Sequence, residues 1–182
     1  IRGTVADLIK VPPGYETAIE TALGFALQNI VVEDETAAKA AMAYLKETKG
    51  GRATFLPLDT VRPASFDARS LPQEAVCASS LVQAEARYAN IVSNLLGRIV
   101  VVDDINTASR VARALGYRNR VVTRDGQVIN AGGSFTGGSV SRSAGLFSRK
   151  QELEELRKKL AGLEEERAGA AKRTQAAAVS CA

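Results

Sequence analysis

Two stretches of the chain repeat the same order of residues about seventy positions apart, and this constrains the fold more than any other feature. "ALGFALQNIVVEDETAAKAAMAYLKETKGGRATFL" and "LLGRIVVVDDINTASRVARALGYRNRVVT" each run from Leu-Gly into an apolar strand. An acidic cap, an alanine-rich helix and an Arg-bearing strand follow in both. Ile30 to Asp34 lies over Val100 to Asp104, and Leu45 lies over Leu115. Duplication of a strand–helix–strand unit predicts two similar lobes of α/β class. Convergence of two βαβ-like units on the same caps and periodicity is the alternative, and it gives the same class.

The remaining elements are placed around these two units. "IRGTVADLIKV" reads as an opening strand that closes at Pro12-Pro13-Gly14. Ala18, Ile19, Ala22, Leu23 and Ala26 recur at helical spacing, which predicts a helix over 15–27 with one buried face. Asp34 is placed to cap the next helix by accepting from free backbone amides, and that helix ends near Gly50-Gly51. "RATFLPL" is a strand stopped by Pro57, and residues 58–80 read as a connection with one short helix.

Composition excludes more than it assigns. The 182 residues suffice for one domain, or a domain with an appendage. Without histidine, the chain lacks the commonest general base and the commonest transition-metal ligand. Neither G-x-x-x-x-G-K-[ST] nor G-x-S-x-G occurs. Cys77 and Cys181 suggest neither a disulfide framework nor a zinc site, which favours a reduced, cytoplasmic setting. No apolar run approaches the ~20 residues of a membrane span, and none resembles a signal peptide. The chain starts at Ile1 and its one methionine is Met42, so a piece of a longer protein is expected. A net charge of +4 permits a polyanionic partner without requiring one.

Two segments point to function. "AGGSFTGGSVS" over 131–141 holds four glycines in seven positions. Glycines at Gly132, Gly133, Gly137 and Gly138 allow another backbone to approach closely, as at an edge that pairs with a second chain. A phosphate cradle would continue into a helix start bearing Lys-Ser/Thr, whereas here Ser139 to Ser143 continue as polar linker. A flexible surface loop is the plain alternative. Further on, Leu153, Leu156, Leu160 and Leu163 step by three, four and three, and Arg167 and Ala170 keep the register. That is the seam of a coiled coil, or of a lone amphipathic helix. The chain contains no second helix to pair with it.

The sequence resembles the hinge domain of SMC (structural maintenance of chromosomes) proteins, specifically those of bacterial chromosome condensation. The resemblance rests on "GTVADLI", "GRATFLPL" and "LGYRNRVVTRDGQVINAGGSFTGG", with a coiled coil departing afterwards. It implies a hinge domain over 1–148 with mixed sheets and flanking helices, then the start of a returning coiled-coil arm over 149–182. It implies a homodimer that joins two arms into a ring or V, with the ATPase head elsewhere in the parent protein. No catalytic residue, metal or cofactor is implied for this region. The family's interface motif maps onto Gly132, Gly133, Ser134, Thr136, Gly137 and Gly138. Its weak DNA binding, by basic residues where hinge meets arm, maps onto Arg142, Arg149 and Lys150. Such contacts would go to phosphate and carry no sequence preference, on single or double strands. Arg110 and Arg113 read as a solvated helix face. The expected partners are therefore a second copy, DNA and the partner arm, with no membrane, in a cytoplasmic, nucleoid-associated setting. A purely structural hinge is the second reading, and a nucleotide-dependent enzyme using the glycine run is the third.

Overall fold

In a computed structural model that describes residues 1–64, 71–138 and 145–180, the duplication extends well beyond the repeated stretches. Lobe one runs β1 (Gly3–Thr4), α1 (Val5–Leu8), β2 (Ile9–Lys10), α2 (Glu16–Leu23), β3 (Ile30–Val32), α3 (Glu35–Glu47) and β4 (Phe55–Pro57). Lobe two repeats the order as β5 (Val76–Cys77), α4 (Ala78–Leu81), β6 (Gln83–Ala84), α5 (Ala89–Leu96), β7 (Ile99–Val102), α6 (Ile105–Ala114) and β8 (Arg120–Thr123). It then adds β9 (Val128–Ile129) and β10 (Phe135–Thr136), after which α7 (Leu146–Ser180) departs.

Each lobe is built on a parallel strand pair flanked by an antiparallel one. In lobe one β3 lies between antiparallel β1 and parallel β4, with Val31 opposite Leu56. In lobe two β7 lies likewise between β5 and β8, with Val100 opposite Val121, and β9 and β10 extend that sheet to five strands. The two lobes meet at an antiparallel pair of equivalent strands, β2 and β6, with Ile9 opposite Ala84 and Lys10 opposite Gln83. Equivalent strands paired antiparallel relate the lobes by a local two-fold axis.

Strand β7 is buried along its whole length, which explains its unbroken β-branched run. Ile99 and Val101 face a core shared by both lobes, and Val100 and Val102 face a second core under α6. The shared core also holds Val5, Ile19, Val31, Leu96 and Phe147. Both long lobe helices are capped as the sequence predicts. Asp34 accepts from the Ala37 amide at 2.7 Å, and Asp104 accepts from the Asn106 and Thr107 amides at 2.8 and 3.0 Å. These bonds, with one from the Thr107 hydroxyl, hold the Asp104 carboxyl below its usual range.

Three expectations require correction. The opening segment is not one strand, because a helical turn, α1, interrupts it. The Thr4 amide and hydroxyl both donate to Asp7, a T-x-x-D signal for a helix start present in the sequence. The helix expected over 15–27 stops at Leu23 and tightens into a 3-10 turn over Gly24–Gln28. Residues 58–80 contain more than a connection with a short helix. Val76 to Leu81 form β5 and α4, the counterparts of β1 and α1, although only Leu81 keeps the residue of its counterpart, Leu8.

The segment that follows each lobe packs on the other. After β4, residues 61–64 lie across α5, where Asn94 donates to the Arg62 carbonyl at 2.8 Å and Ser93 to that of Ala64 at 3.2 Å. The approach is so close that a Cβ on Gly97 would sit 1.8 Å from the Ala64 oxygen. After β10, the root of α7 packs on α2, the lobe-one counterpart of α5.

Candidate dimer edge and arm root

The glycine run forms a turn and an edge strand rather than one uniform feature. Residues Ala131 to Ser134 turn the chain from β9 into β10, and Phe135 and Thr136 pair with Ile129 and Val128. Gly132 and Gly133 have φ of +89° and +91°, a region that L side chains rarely adopt, so backbone conformation requires glycine there. Gly138 is also left-handed, at φ +146°. Gly137 has no such constraint, and a Cβ there would meet only the Gln127 side chain, at 3.8 Å. Of the four glycines, Gly137 is the one whose missing side chain leaves room without being needed for the local turn.

Strand β10 ends the five-stranded sheet. The Asn130 amide donates to the Ser134 carbonyl at 2.8 Å, so this pair is hydrogen-bonded, and the alternation of an antiparallel ladder leaves Phe135 in a non-hydrogen-bonded pair. The Phe135 N–H and C=O therefore face the open side of the sheet. Phe135 is 62% exposed. Asn130 secures the inner side, donating to Ser134 Oγ and Thr136 Oγ1, each at 3.2 Å. In the sequence the only signal for Phe135 is one large apolar residue amid small ones.

Among the described residues, lobe one has no counterpart of β9 and β10. Where β9 covers the outer side of β8, the equivalent side of β4 lies open among the described residues. The adjoining helix shows the consequence. α6 buries Thr107, Ala108, Val111 and Ala112, whereas α3 buries only Ala38 and leaves Met42 59% and Tyr44 64% exposed.

The arm root is held by carboxylates of lobe one. Phe147 is buried in the shared core, and its amide donates to Glu20 of α2 at 2.5 Å, so a side chain from another element caps α7. A Cβ on Gly145 would collide with that carboxylate, at 2.1 Å. One turn on, the Lys150 ammonium donates to Asp7 at 2.8 Å and to the Ala6 carbonyl at 2.9 Å. The Lys150 hydrogen bond, supported by two from Thr4, lowers the Asp7 pKa to about 2. Arg149 is exposed, and Arg142 lies outside the described residues. The structure thus brings Arg149 and Lys150 together at the arm root, with Lys150 already committed to a carboxylate. Beyond them Leu153, Leu156, Leu160 and Leu163 are more than half exposed. The seam starts beside an open groove of about 730 Å³ lined by Phe25, Leu27, Leu146 and Leu153, in which Phe25 is 93% exposed. Arg110 pairs with Glu74 at 2.7 Å.

Among the described residues no group of three or more His, Cys, Asp or Glu could hold a metal ion. Among the same residues no helix is long and apolar enough to cross a membrane.

This architecture has known relatives. The sequence profile of the flexible hinge domain of SMC proteins matches residues 1–112. The chain is 43% identical over 148 residues to the chromosome partition protein Smc of Bacillus subtilis, covering 78% of this chain and 12% of that protein. It is 45% identical over 144 residues to the protein of the same name from Desulfitobacterium hafniense, again covering 12% of it. The chain thus spans a small part of the curated relatives it matches. Among solved structures, it matches an asymmetric dimer of the Geobacillus stearothermophilus SMC hinge domain with a TM-score of 0.80 and 44% identity, covering 96% of this chain and 75% of that one. It also matches the Pyrococcus furiosus Smc hinge domain with an extended coiled coil, at a TM-score of 0.66 and 36% identity, covering 90% and 59%. With its two-lobed α/β body and departing helix, the chain belongs to the SMC hinge family.

Proposed function

We propose that this chain is a homodimerisation hinge that joins two coiled-coil arms of a chromosome partition protein. The observation that carries the proposal is the pairing of an excess with a deficit. Among the described residues, lobe two ends in a strand, β10, whose outer edge is open, and lobe one shows no strands on the side that β9 and β10 cover in lobe two. Adding β10 of one copy to the β4 side of another supplies backbone hydrogen bonds to both edges and covers the exposed face of α3. The arrangement is reciprocal, so two copies related by a two-fold axis form two equivalent joints and close. The asymmetric dimer of the Geobacillus stearothermophilus hinge domain supports a dimeric reading.

In this reading residues 1–148 act as the hinge and 149–182 begin the returning arm, whose leucine seam awaits a partner helix. The ATPase head of the parent lies outside the chain. The region itself binds and orients, with no catalytic role, in a cytoplasmic protein associated with the nucleoid. Gly132, Gly133, Ser134, Thr136, Gly137 and Gly138 shape or flank the joint, and Arg142, Arg149 and Lys150 give auxiliary, sequence-independent contacts to DNA phosphates. The Lys150–Asp7 ion pair favours a second reading, a structural hinge whose basic residues serve only the arm root.

Sedimentation of the parent chain against Gly137→Val and Phe135→Pro tests the proposal. Both substitutions leave the left-handed turn glycines untouched, and the proline removes a donor from the open edge. Folded monomers are expected from each. A parental dimer from both variants places the interface elsewhere.

A further inference from the structure

Tyr117 has a backbone conformation that its own helix does not require. Each lobe's capped helix ends in the same way: the Gly50 amide donates to the Leu45 carbonyl, and the Tyr117 amide to the Ala112 carbonyl, at 2.9 and 2.8 Å. One left-handed residue precedes each of these donors, Lys49 at φ +53° in lobe one and Gly116 at φ +62° in lobe two. Tyr117 adds a second left-handed residue, at φ +54°, where an aromatic side chain is strongly disfavoured. Because α3 has 13 residues and α6 has 10, the helix ends match three residues off the seventy-residue overlay, and Leu45 corresponds to Ala112 rather than Leu115. The position matching Tyr117 is thus a glycine, Gly50, which does not adopt this conformation. Helix termination therefore accounts for Gly116 and leaves Tyr117 unexplained. A strained residue persists where its surroundings over-determine it.

Those surroundings are the glycine turn. The Tyr117 carbonyl accepts from the Gly132 amide at 2.9 Å. The ring lies along Gly133, where an added Cβ would be in ordinary contact with it, at 3.5–3.9 Å. A left-handed backbone at 117 thus directs both carbonyl and ring at the two residues that turn β9 into β10. The ring is itself anchored, half-buried against the second core of lobe two.

We propose that Tyr117 is a positioning residue for the joint: it holds the Ala131–Ser134 turn so that β10 presents its open edge, already ordered, to the second copy. The inference rests on the dimerisation reading above. A two-residue strand joined by a glycine-rich turn has little intrinsic order, and a brace that orders it before contact lowers the cost of association. Tyr117 touches the turn but forms no part of the edge.

The test compares Tyr117→Ala and Tyr117→Phe with the parent for dimer dissociation constant, alongside Phe135→Pro as a monomeric background. Tyr117→Ala is expected to weaken the dimer by on the order of tenfold, and Tyr117→Phe, which keeps backbone and ring, to restore parental affinity. In the Phe135→Pro monomer, Tyr117→Ala should speed exchange of the Gly132 amide while leaving β7 and β8 amides protected. That local effect separates bracing from general destabilisation. A Tyr117→Ala dimer of parental affinity, beside a monomeric Phe135→Pro chain, overturns the role of Tyr117 alone. A Phe135→Pro chain that dimerises like the parent overturns the interface reading and the brace with it.

Discussion

Arg120 and Arg124 hold opposite ends of the same helix. At one end of β8, Arg120 donates to the Thr21 and Ala22 carbonyls, both at 3.2 Å, where α2 runs out of intrahelical partners. Just past the other end, Arg124 donates to the Gly14 carbonyl at 3.3 Å and lies 4.6 Å from the Tyr15 ring centre. Four strand residues span about 13 Å, and the eight residues of α2 (Glu16–Leu23) span about 12 Å. The two lengths match, so one strand of lobe two braces a whole helix of lobe one. Arg120 suits its end, because a cation is favourable at a helix C-terminus.

Arg120→Ala is expected to cost about 2 kcal/mol in urea unfolding, since charge-assisted bonds are lost and two carbonyls are left without partners. Arg124→Ala, at a more exposed site, should cost about 1 kcal/mol. Equal effects from the two would mean that α2 is held as a unit rather than by its ends.

The arm should open in two stages. Leu146 to Lys150 are tied to the body through the buried Phe147, the Glu20 cap and the Asp7 pair. Beyond Leu153 the seam is uncovered, and an isolated helix is marginal in water. Hydrogen exchange should therefore show protection of the first turns comparable to the α/β body and early opening after residue 153. Glu20→Ala should extend the early opening back to Leu146.

Acid should release the root. The folded Asp7 carboxyl titrates at about 2, well below an ordinary carboxylate. Its contribution to stability is complete above the unfolded value near 4 and is lost as pH falls from there through about 2. Asp7 and Lys150 are both about half exposed, so the pair contributes at most about 1 kcal/mol. Asp7→Asn should flatten the acid limb of a stability–pH curve. A limb of unchanged slope would assign it to other carboxylates.

The same ion pair bears on the proposed DNA contacts. Were Arg142, Arg149 and Lys150 all free, six phosphate contacts per dimer would give a salt slope of roughly −5 on duplex. With Lys150 held by Asp7, four contacts should reduce the slope to about −4. Asp7→Asn frees the ammonium and should steepen it again. Arg149→Glu should weaken binding without changing the dimer dissociation constant. Binding that ignores both substitutions would favour the purely structural hinge.

What the sequence by itself determined is what short-range chemistry governs. Asp34 and Asp104 each precede an alanine-rich helix and follow an apolar strand, so two βαβ-type units were legible from caps and periodicity. The long last helix with its exposed leucines and the position of the glycine run were legible too. Thr4 and Asp7 carried a signal of the same kind, but the apolar residues around them masked it as a strand. Tertiary structure alone decided which groups far apart in sequence meet. In the sequence Arg120 is one more arginine in a basic stretch, and burial against the end of α2 makes it a cap for another lobe. Lys150 reads as a free cation until Asp7, far away in the chain, lies beside it. The counterparts β5 and α4 share almost no residues with β1 and α1, because a two-residue strand and a single helical turn are held by their neighbours rather than by their own propensities. The side of β4 left open among the described residues has no local signature either, since an edge is defined by pairing and not by the strand's own residues.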